Sequence, residues 1–133
     1  MSSEYVLDTH AVVHWQRRQR MSARLVETLD TAAQFAMLHV ASVSFWEVAF
    51  LVRKGRLIIE DPIAWKSELI GASGIEVIDP SPEEMIESTR LPDYHADPFD
   101  RLLVAIVRRR SMTLVTADEH IRRYEVDTVW EEN

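Results

Sequence analysis

Asp97-Pro98-Phe99-Asp100-Arg101-Leu102-Leu103-Val104-Ala105-Ile106-Val107-Arg108-Arg109-Arg110 is followed, after two residues, by Thr113-Leu114-Val115-Thr116 and then by Asp118. The first part reads as a helix. Asp97 is a good N-cap, Pro98 suits the first helical position, and Phe99, Leu102, Leu103 and Ile106 recur at helical spacing. The second part is a short β-prone run of the kind a fully buried strand shows. A helix that delivers the chain to a buried strand in so few residues is the crossover of a parallel sheet.

Working outward, the same alternation fills the chain. Tyr5-Val6-Leu7 is a strand that stops at Asp8, and a short helix follows from about His10 to Gln16 with Ala11 and Val12 inward. Ser22 caps a second helix carrying Leu25, Val26 and Leu29. Met37-Leu38-His39-Val40-Ala41 is a second strand, and a helix runs from about Val43 to Lys54 with Gly55 as the residue that ends it. Asp61-Pro62 and Ser81-Pro82-Glu83-Glu84 open two more helices, with the strand Ile75-Glu76-Val77-Ile78 between them. Thr128-Val129-Trp130 is a short fifth strand. This order predicts one α/β domain over residues 1–133, with a parallel central sheet of four to five strands covered by helices on both faces.

Composition narrows the chemistry. The chain has no Cys, which excludes disulfides, thiolate nucleophiles and Cys-ligated zinc, and fits a cytoplasmic protein. The start, Met1 to Asp8, lacks the basic and apolar regions of a signal peptide, and no apolar run is long enough to span a bilayer. The net charge of −7 argues against a phosphate-binding partner unless part of the acid sits in one metal site. Arginines nevertheless cluster at Arg17, Arg18 and Arg20, at Arg108 to Arg110, and at Arg122 and Arg123, either as solvated helix ends or as contacts for a nucleic-acid backbone.

In an open parallel sheet, sites form at the carboxyl ends of the strands. Asp8 and Asp118 follow the first and fourth strands, and Glu47 is expected in the first turn of the helix after the second. The helix from Asp97 begins at the same edge, and i, i+3 spacing puts Asp97 and Asp100 on one face. Five carboxylates then converge, and their mutual repulsion calls for a hard cation, Mg²⁺ or Mn²⁺, of the kind that supports phosphodiester hydrolysis. Each acid also has an ordinary alternative. Asp97 and Asp118 suit N-caps, Asp100 suits a first helical turn, and Ser44-x-x-Glu47 matches a capping box. Thr9 and Thr116 stand beside Asp8 and Asp118, where their hydroxyls can hydrogen-bond a carboxylate. His10 and His14 share a helical face but lack a third ligand for zinc. Trp46, Trp65, Phe45 and Phe50 are core residues or a surface for a partner, so a non-catalytic RNA- or protein-binding module stands as the alternative function.

The stretches Val6-Leu7-Asp8-Thr9-His10, Ser42-Val43-Ser44-Phe45-Trp46-Glu47-Val48-Ala49, the run from His95 through Ala105, and Leu114-Val115-Thr116-Ala117-Asp118 resemble the four motifs of PIN domains. More closely, they resemble the VapC-type toxins of bacterial toxin–antitoxin pairs. The resemblance implies a three-layer α/β/α fold, a ribonuclease dependent on Mg²⁺ or Mn²⁺, a homodimer, and an inhibitory antitoxin of VapB type. It assigns the four acidic positions to Asp8, Glu47, Asp100 and Asp118, with Asp97 an extra acid and Thr116 the hydroxyl residue before the last acid. Leu51 stands where related sequences often carry Lys.

Overall fold

The computed structural model describes residues 4–133; Met1 to Ser3, where the signal-peptide reading begins, lie outside them. Five strands, β1 (Tyr5–Leu7), β2 (Leu38–Ala41), β3 (Glu76–Ile78), β4 (Thr113–Val115) and β5 (Thr128–Val129), form one sheet in the order β3-β2-β1-β4-β5. Every pairing is parallel. The helices are α1 (Thr9–Arg17), α2 (Ala23–Gln34), α3 (Ser42–Arg53), α4 (Pro62–Ser73), α5 (Pro82–Ser88) and α6 (Pro98–Arg110), with a 3₁₀ turn at Ile121–Arg123.

Strand geometry splits the core into two layers. Leu7, Leu38, Val40 and Val115 point to one face and pack with Val12, Trp15, Leu25, Leu29, Val48 and Leu69. Val6, Ala41 and Leu114 point to the other and pack with Leu103, Val104, Ile106, Val107 and Ile121. Successive residues of a strand face opposite sides, so a strand covered on both sides must be apolar throughout. That is why Tyr5-Val6-Leu7 and Thr113-Leu114-Val115 read as unbroken runs. Burying each large aliphatic side chain stabilises the fold by about 1.5–3 kcal/mol.

The sheet order creates the crevice. From β1 the chain builds β2 and β3 on one side, then returns through α6 to place β4 and β5 on the other. The carboxyl ends of β1 and β4 lie side by side at this reversal, where ligand crevices form in open α/β sheets. The Asp8 N–H donates to Val115 O at 3.1 Å, which fixes the two strand ends together.

Most helix boundaries follow local chemistry. Ser22, Asp61, Ser81 and Asp97 cap α2, α4, α5 and α6 through their side chains. Gly55 has φ 73°, the left-handed conformation that ends α3. The start of α3 departs from the sequence reading. It begins at Ser42, directly from the extended backbone of Ala41 and with no side-chain cap. Glu47 therefore lies in the second turn rather than the first, and the Ser44–Glu47 capping box does not form. The box exists instead in α5, where the Ser81 hydroxyl accepts from Glu84 N–H at 3.1 Å and the Glu84 carboxylate accepts from Ser81 N–H at 2.8 Å.

Candidate metal centre

Asp8, Glu47, Asp97, Asp100 and Asp118 all line one cleft of about 390 Å³ at the carboxyl edge of the sheet. A somewhat larger groove of about 460 Å³ between α1, α2 and α4 is lined by Trp15, Asp30 and Glu68 among others, and holds none of these five acids.

Each acid is held by a specific partner. Asp8 is buried and caps α1, its Oδ1 accepting from Ala11 N–H at 2.8 Å. The fully buried Thr116 hydroxyl also bonds the Asp8 carboxylate, and its oxygen accepts from Asp118 N–H at 3.1 Å. Thr9 donates to Glu47 Oε1 at 2.5 Å, so each threonine fixes one acid. Asp97 caps α6, accepting from Phe99 N–H at 2.8 Å, and Asp100 follows one turn later. Asp118 accepts from His120 N–H at 2.8 Å and from Ile121 N–H at 3.4 Å, in the turn that leads into the 3₁₀ segment. The capping role of Asp97 is therefore real and coexists with its place in the cleft, whereas Asp118 caps no helix, since the 3₁₀ turn after it starts from His120 without a side-chain cap.

The electrostatics are those of an uncompensated acid cluster. Burial, then the charges of Asp97, Glu47, Asp8 and Asp118, push the Asp100 carboxyl up to about 8. Burial likewise raises Asp8 and Glu47, against the hydrogen bonds from Thr116 and Thr9. Asp118 goes the other way: burial raises it, but hydrogen bonds from His95 and the backbone N–H groups of His120 and Ile121 outweigh this and hold it low. Arg20, which reaches the cleft, is paired with Glu132 at 3.0 Å. An all-oxygen acid set that the chain's own cations do not neutralise is the donor chemistry that Mg²⁺ and Mn²⁺ prefer.

His95 is the residue that sequence reasoning passed over. Its Nε2 lies 2.9 Å from Asp118 Oδ2 and 3.0 Å from Asp100 Oδ2. These three side chains bring one donor atom each within 4.8 Å of the others. The only signal in the sequence is a His two residues before Asp97. The His10–His14 pair, singled out by spacing, lines the same cleft but is not part of that trio.

The arginines divide. Arg17 bonds Ile58 O and Arg18 pairs with Asp30 at 2.6 Å, both at the end of α1. Arg109 lies twelve residues along α6 from Asp97, about 18 Å at 1.5 Å per residue, and pairs with Glu87 at 2.6 Å. Arg108 stands beside it, so the structure does not bring Arg108 or Arg109 to the cleft. Arg110 closes a buried pair with Glu84, at 2.8 and 2.9 Å. Of the aromatics, Trp65 is core and Phe45 packs on it, whereas Trp46 is 61% exposed and meets Phe50 and Phe99 on the surface beside Glu47. Leu51 is half-buried on α3.

The family model for the PIN domain matches residues 5–127. Among solved structures, VapBC2 from Rickettsia felis bound to a DNA fragment from their promoter is 20% identical with a TM-score of 0.70, covering 96% of this chain and 98% of that one. PAE2754 from Pyrobaculum aerophilum is 19% identical with a TM-score of 0.61, covering 95% and 89%. FitAcB from Neisseria gonorrhoeae is 16% identical with a TM-score of 0.59, covering 93% and 95%. Comparison with curated protein sequences gives no match. At these identities the likeness to the solved structures is one of fold, over nearly the whole of each chain.

Proposed function

Because the chain belongs to the PIN domain family, we propose that it is a divalent-metal-dependent ribonuclease, the toxin of a toxin–antitoxin pair. The observation that carries this is the convergence of Asp8, Glu47, Asp97, Asp100 and Asp118 on one cleft, where burial and the neighbouring acids push the Asp100 carboxyl up to about 8. Neutralising those carboxylates together is what a bound cation does.

In this reading Asp8, Asp100 and Asp118 hold Mg²⁺ or Mn²⁺. The cation supplies charge neutralisation and polarisation at the scissile phosphate. Glu47, made more basic by burial and aimed by the Thr9 hydroxyl, accepts the proton of the attacking water. Thr116 keeps the Asp8 carboxylate turned into the cleft. Asp97 stands at the rim, where it caps α6 and adds to the field that draws a cation. Arg20, at the cleft itself, is the arginine best placed to meet an RNA phosphate, whereas Arg17 bonds Ile58 O and Arg18 lines the other groove.

The proposed partners are an RNA substrate, an antitoxin of VapB type and a second copy of the chain. The likeness in fold to VapBC2 and FitAcB supports the antitoxin as a partner class. The exposed Trp46 and Phe50 and the half-buried Phe99, with ring centroids 5.4–6.5 Å apart, support a protein contact on that face. A cytoplasmic site of action belongs to the same proposal; among the described residues no helix is long and apolar enough to cross a membrane.

The test is incubation of the purified protein with total RNA, with and without Mn²⁺ or Mg²⁺, beside Asp8→Asn. Discrete metal-dependent fragments that the variant does not produce are the expected result. Cleavage by Asp8→Asn at the unsubstituted rate removes the site assignment. No cleavage and no thermal shift with either metal turns the proposal to a non-catalytic binding module.

A further inference from the structure

Resting on that metal reading, we infer that His95 is a positioning residue whose Nε2–H holds Asp118 while the same nitrogen keeps Asp100 beside it, and that the cation's protein ligands are oxygen atoms alone. The distances by themselves allow two roles. Adjacent ligands of an octahedral ion with bonds of about 2.1 Å stand about 3.0 Å apart. Nε2 is 3.0 Å from Asp100 Oδ2 and 2.9 Å from Asp118 Oδ2, so it has the spacing of a ligand as well as that of a hydrogen-bond donor.

The other ring nitrogen decides. His95 Nδ1 accepts the backbone N–H of Asp97 at 3.1 Å. A nitrogen that accepts carries no hydrogen, so the ring hydrogen sits on Nε2 and points at the carboxylates. A ligating nitrogen must offer a lone pair instead. Moving the hydrogen to Nδ1 would set it against the Asp97 N–H. That N–H cannot readily turn away, because Asp97 is the N-cap of α6 and its carboxylate is bound to Phe99 N–H. The ring is further braced edge-on by His120, at 5.7 Å between centroids. Metal-bound histidines commonly show the reverse arrangement, with the free nitrogen donating to a carboxylate or carbonyl. Here the free nitrogen accepts.

An Nε2–H bonded to Asp118, with Asp100 Oδ2 at 3.0 Å from the same nitrogen, draws α6 and the segment after β4 together across the crevice. It sets their oxygens near the spacing a cation needs without occupying a ligand position by a lone pair. The centre then keeps the oxygen-only character that Mg²⁺ and Mn²⁺ share, with no nitrogen to bias it toward zinc.

The experiment uses the full chain with Mn²⁺ as the probe. Binding is read from the electron paramagnetic resonance signal of free Mn²⁺, and direct nitrogen ligation from ¹⁴N modulation of the bound ion's spin echo. The expected result is Mn²⁺ binding by the unsubstituted protein without directly ligated ¹⁴N. His95→Ala is expected to weaken binding about 10–100-fold, the cost usual for an outer partner of a metal ligand. His95→Gln, whose amide N–H reaches the same place, is expected to stay within about threefold to fivefold of the parent. Directly coordinated ¹⁴N that disappears in His95→Gln makes His95 a ligand and overturns the inference, as does His95→Ala binding Mn²⁺ as tightly as the parent. An unsubstituted protein that binds no Mn²⁺ instead overturns the metal reading on which the inference rests.

Discussion

Asp100 shares its cleft with four carboxylates, and the consequence is a pH-dependent fold. Its carboxyl stands at about 8 in the folded chain against an ordinary value of 3.8. Between these values the folded state holds a proton that the unfolded state has released, so stability falls as pH rises through that interval and levels off above it. Burial of Asp8 and Glu47 acts in the same direction. Asp118 and Glu84 are lowered and act only at more acid pH. The metal-free protein is therefore expected to melt higher at pH 5 than at pH 8, with a slope of at most about 1.4 kcal/mol per pH unit from Asp100. Asp100→Asn should remove most of it. Calorimetry in chelator at both pH values measures this, and a melting temperature that rises toward pH 8 contradicts it. Because a cation must displace the Asp100 proton, Mn²⁺ affinity should climb up to about tenfold per pH unit and flatten above about pH 8, as titration at pH 6, 7, 8 and 9 would reveal. Asp8 has two jobs, and two substitutions separate them. Asp8→Asn keeps the cap on α1, since Asn caps as well as Asp, and relieves repulsion, so the variant should be at least as stable as the parent. Asp8→Ala should lose about 1 kcal/mol relative to Asp8→Asn in urea unfolding.

At the scale of elements, helix starts show what local chemistry can settle. Asp61-Pro62, Ser81-Pro82 and Asp97-Pro98 each carry a cap and a proline that need only their own neighbours, and each begins a helix where the sequence places it. Ser44-x-x-Glu47 carries the same local signal and forms no box, because β2 hands the chain to α3 two residues earlier. Where a strand ends is set by its pairing partners, here β1 and β3, and no local pattern contains them. The same limit applies to the arginines. Arg108 to Arg110 read as one cluster, yet Arg109 and Arg110 tie α6 to α5 through Glu87 and the buried Glu84. Arg110→Ala leaves the Glu84 carboxylate buried with only its capping bond. It should cost about 2–3 kcal/mol, below the range for a fully buried pair because the guanidinium is partly exposed. Urea unfolding of that variant, beside Arg108→Ala as an exposed control, tests the difference.

For the whole molecule, the order β3-β2-β1-β4-β5 turns five scattered acids into one site. It also leaves Trp46, Phe50 and Phe99 together outside the core. If that face seats a second copy of the chain, Trp46→Glu should shift sedimentation from dimer toward monomer, with at least a tenfold weaker association. A monomeric parent, or a dimer indifferent to Trp46→Glu, would place the proposed self-association elsewhere or remove it.

The sequence alone determined the alternation of strands and helices, the parallel α/β sheet, and the acids Asp8, Glu47, Asp97, Asp100 and Asp118 at one edge. These follow from periodicity, from capping, and from the rule that parallel strands end on the same side, all of which act along the chain. Tertiary structure decided the rest. It set the second-turn position of Glu47, the pairing of Thr9 with Glu47 and Thr116 with Asp8, the distance of Arg108 and Arg109 from the cleft, and the place of His95 between Asp100 and Asp118. Those contacts join segments that meet only across the sheet, and side-chain reach over a few ångströms has no counterpart in sequence spacing.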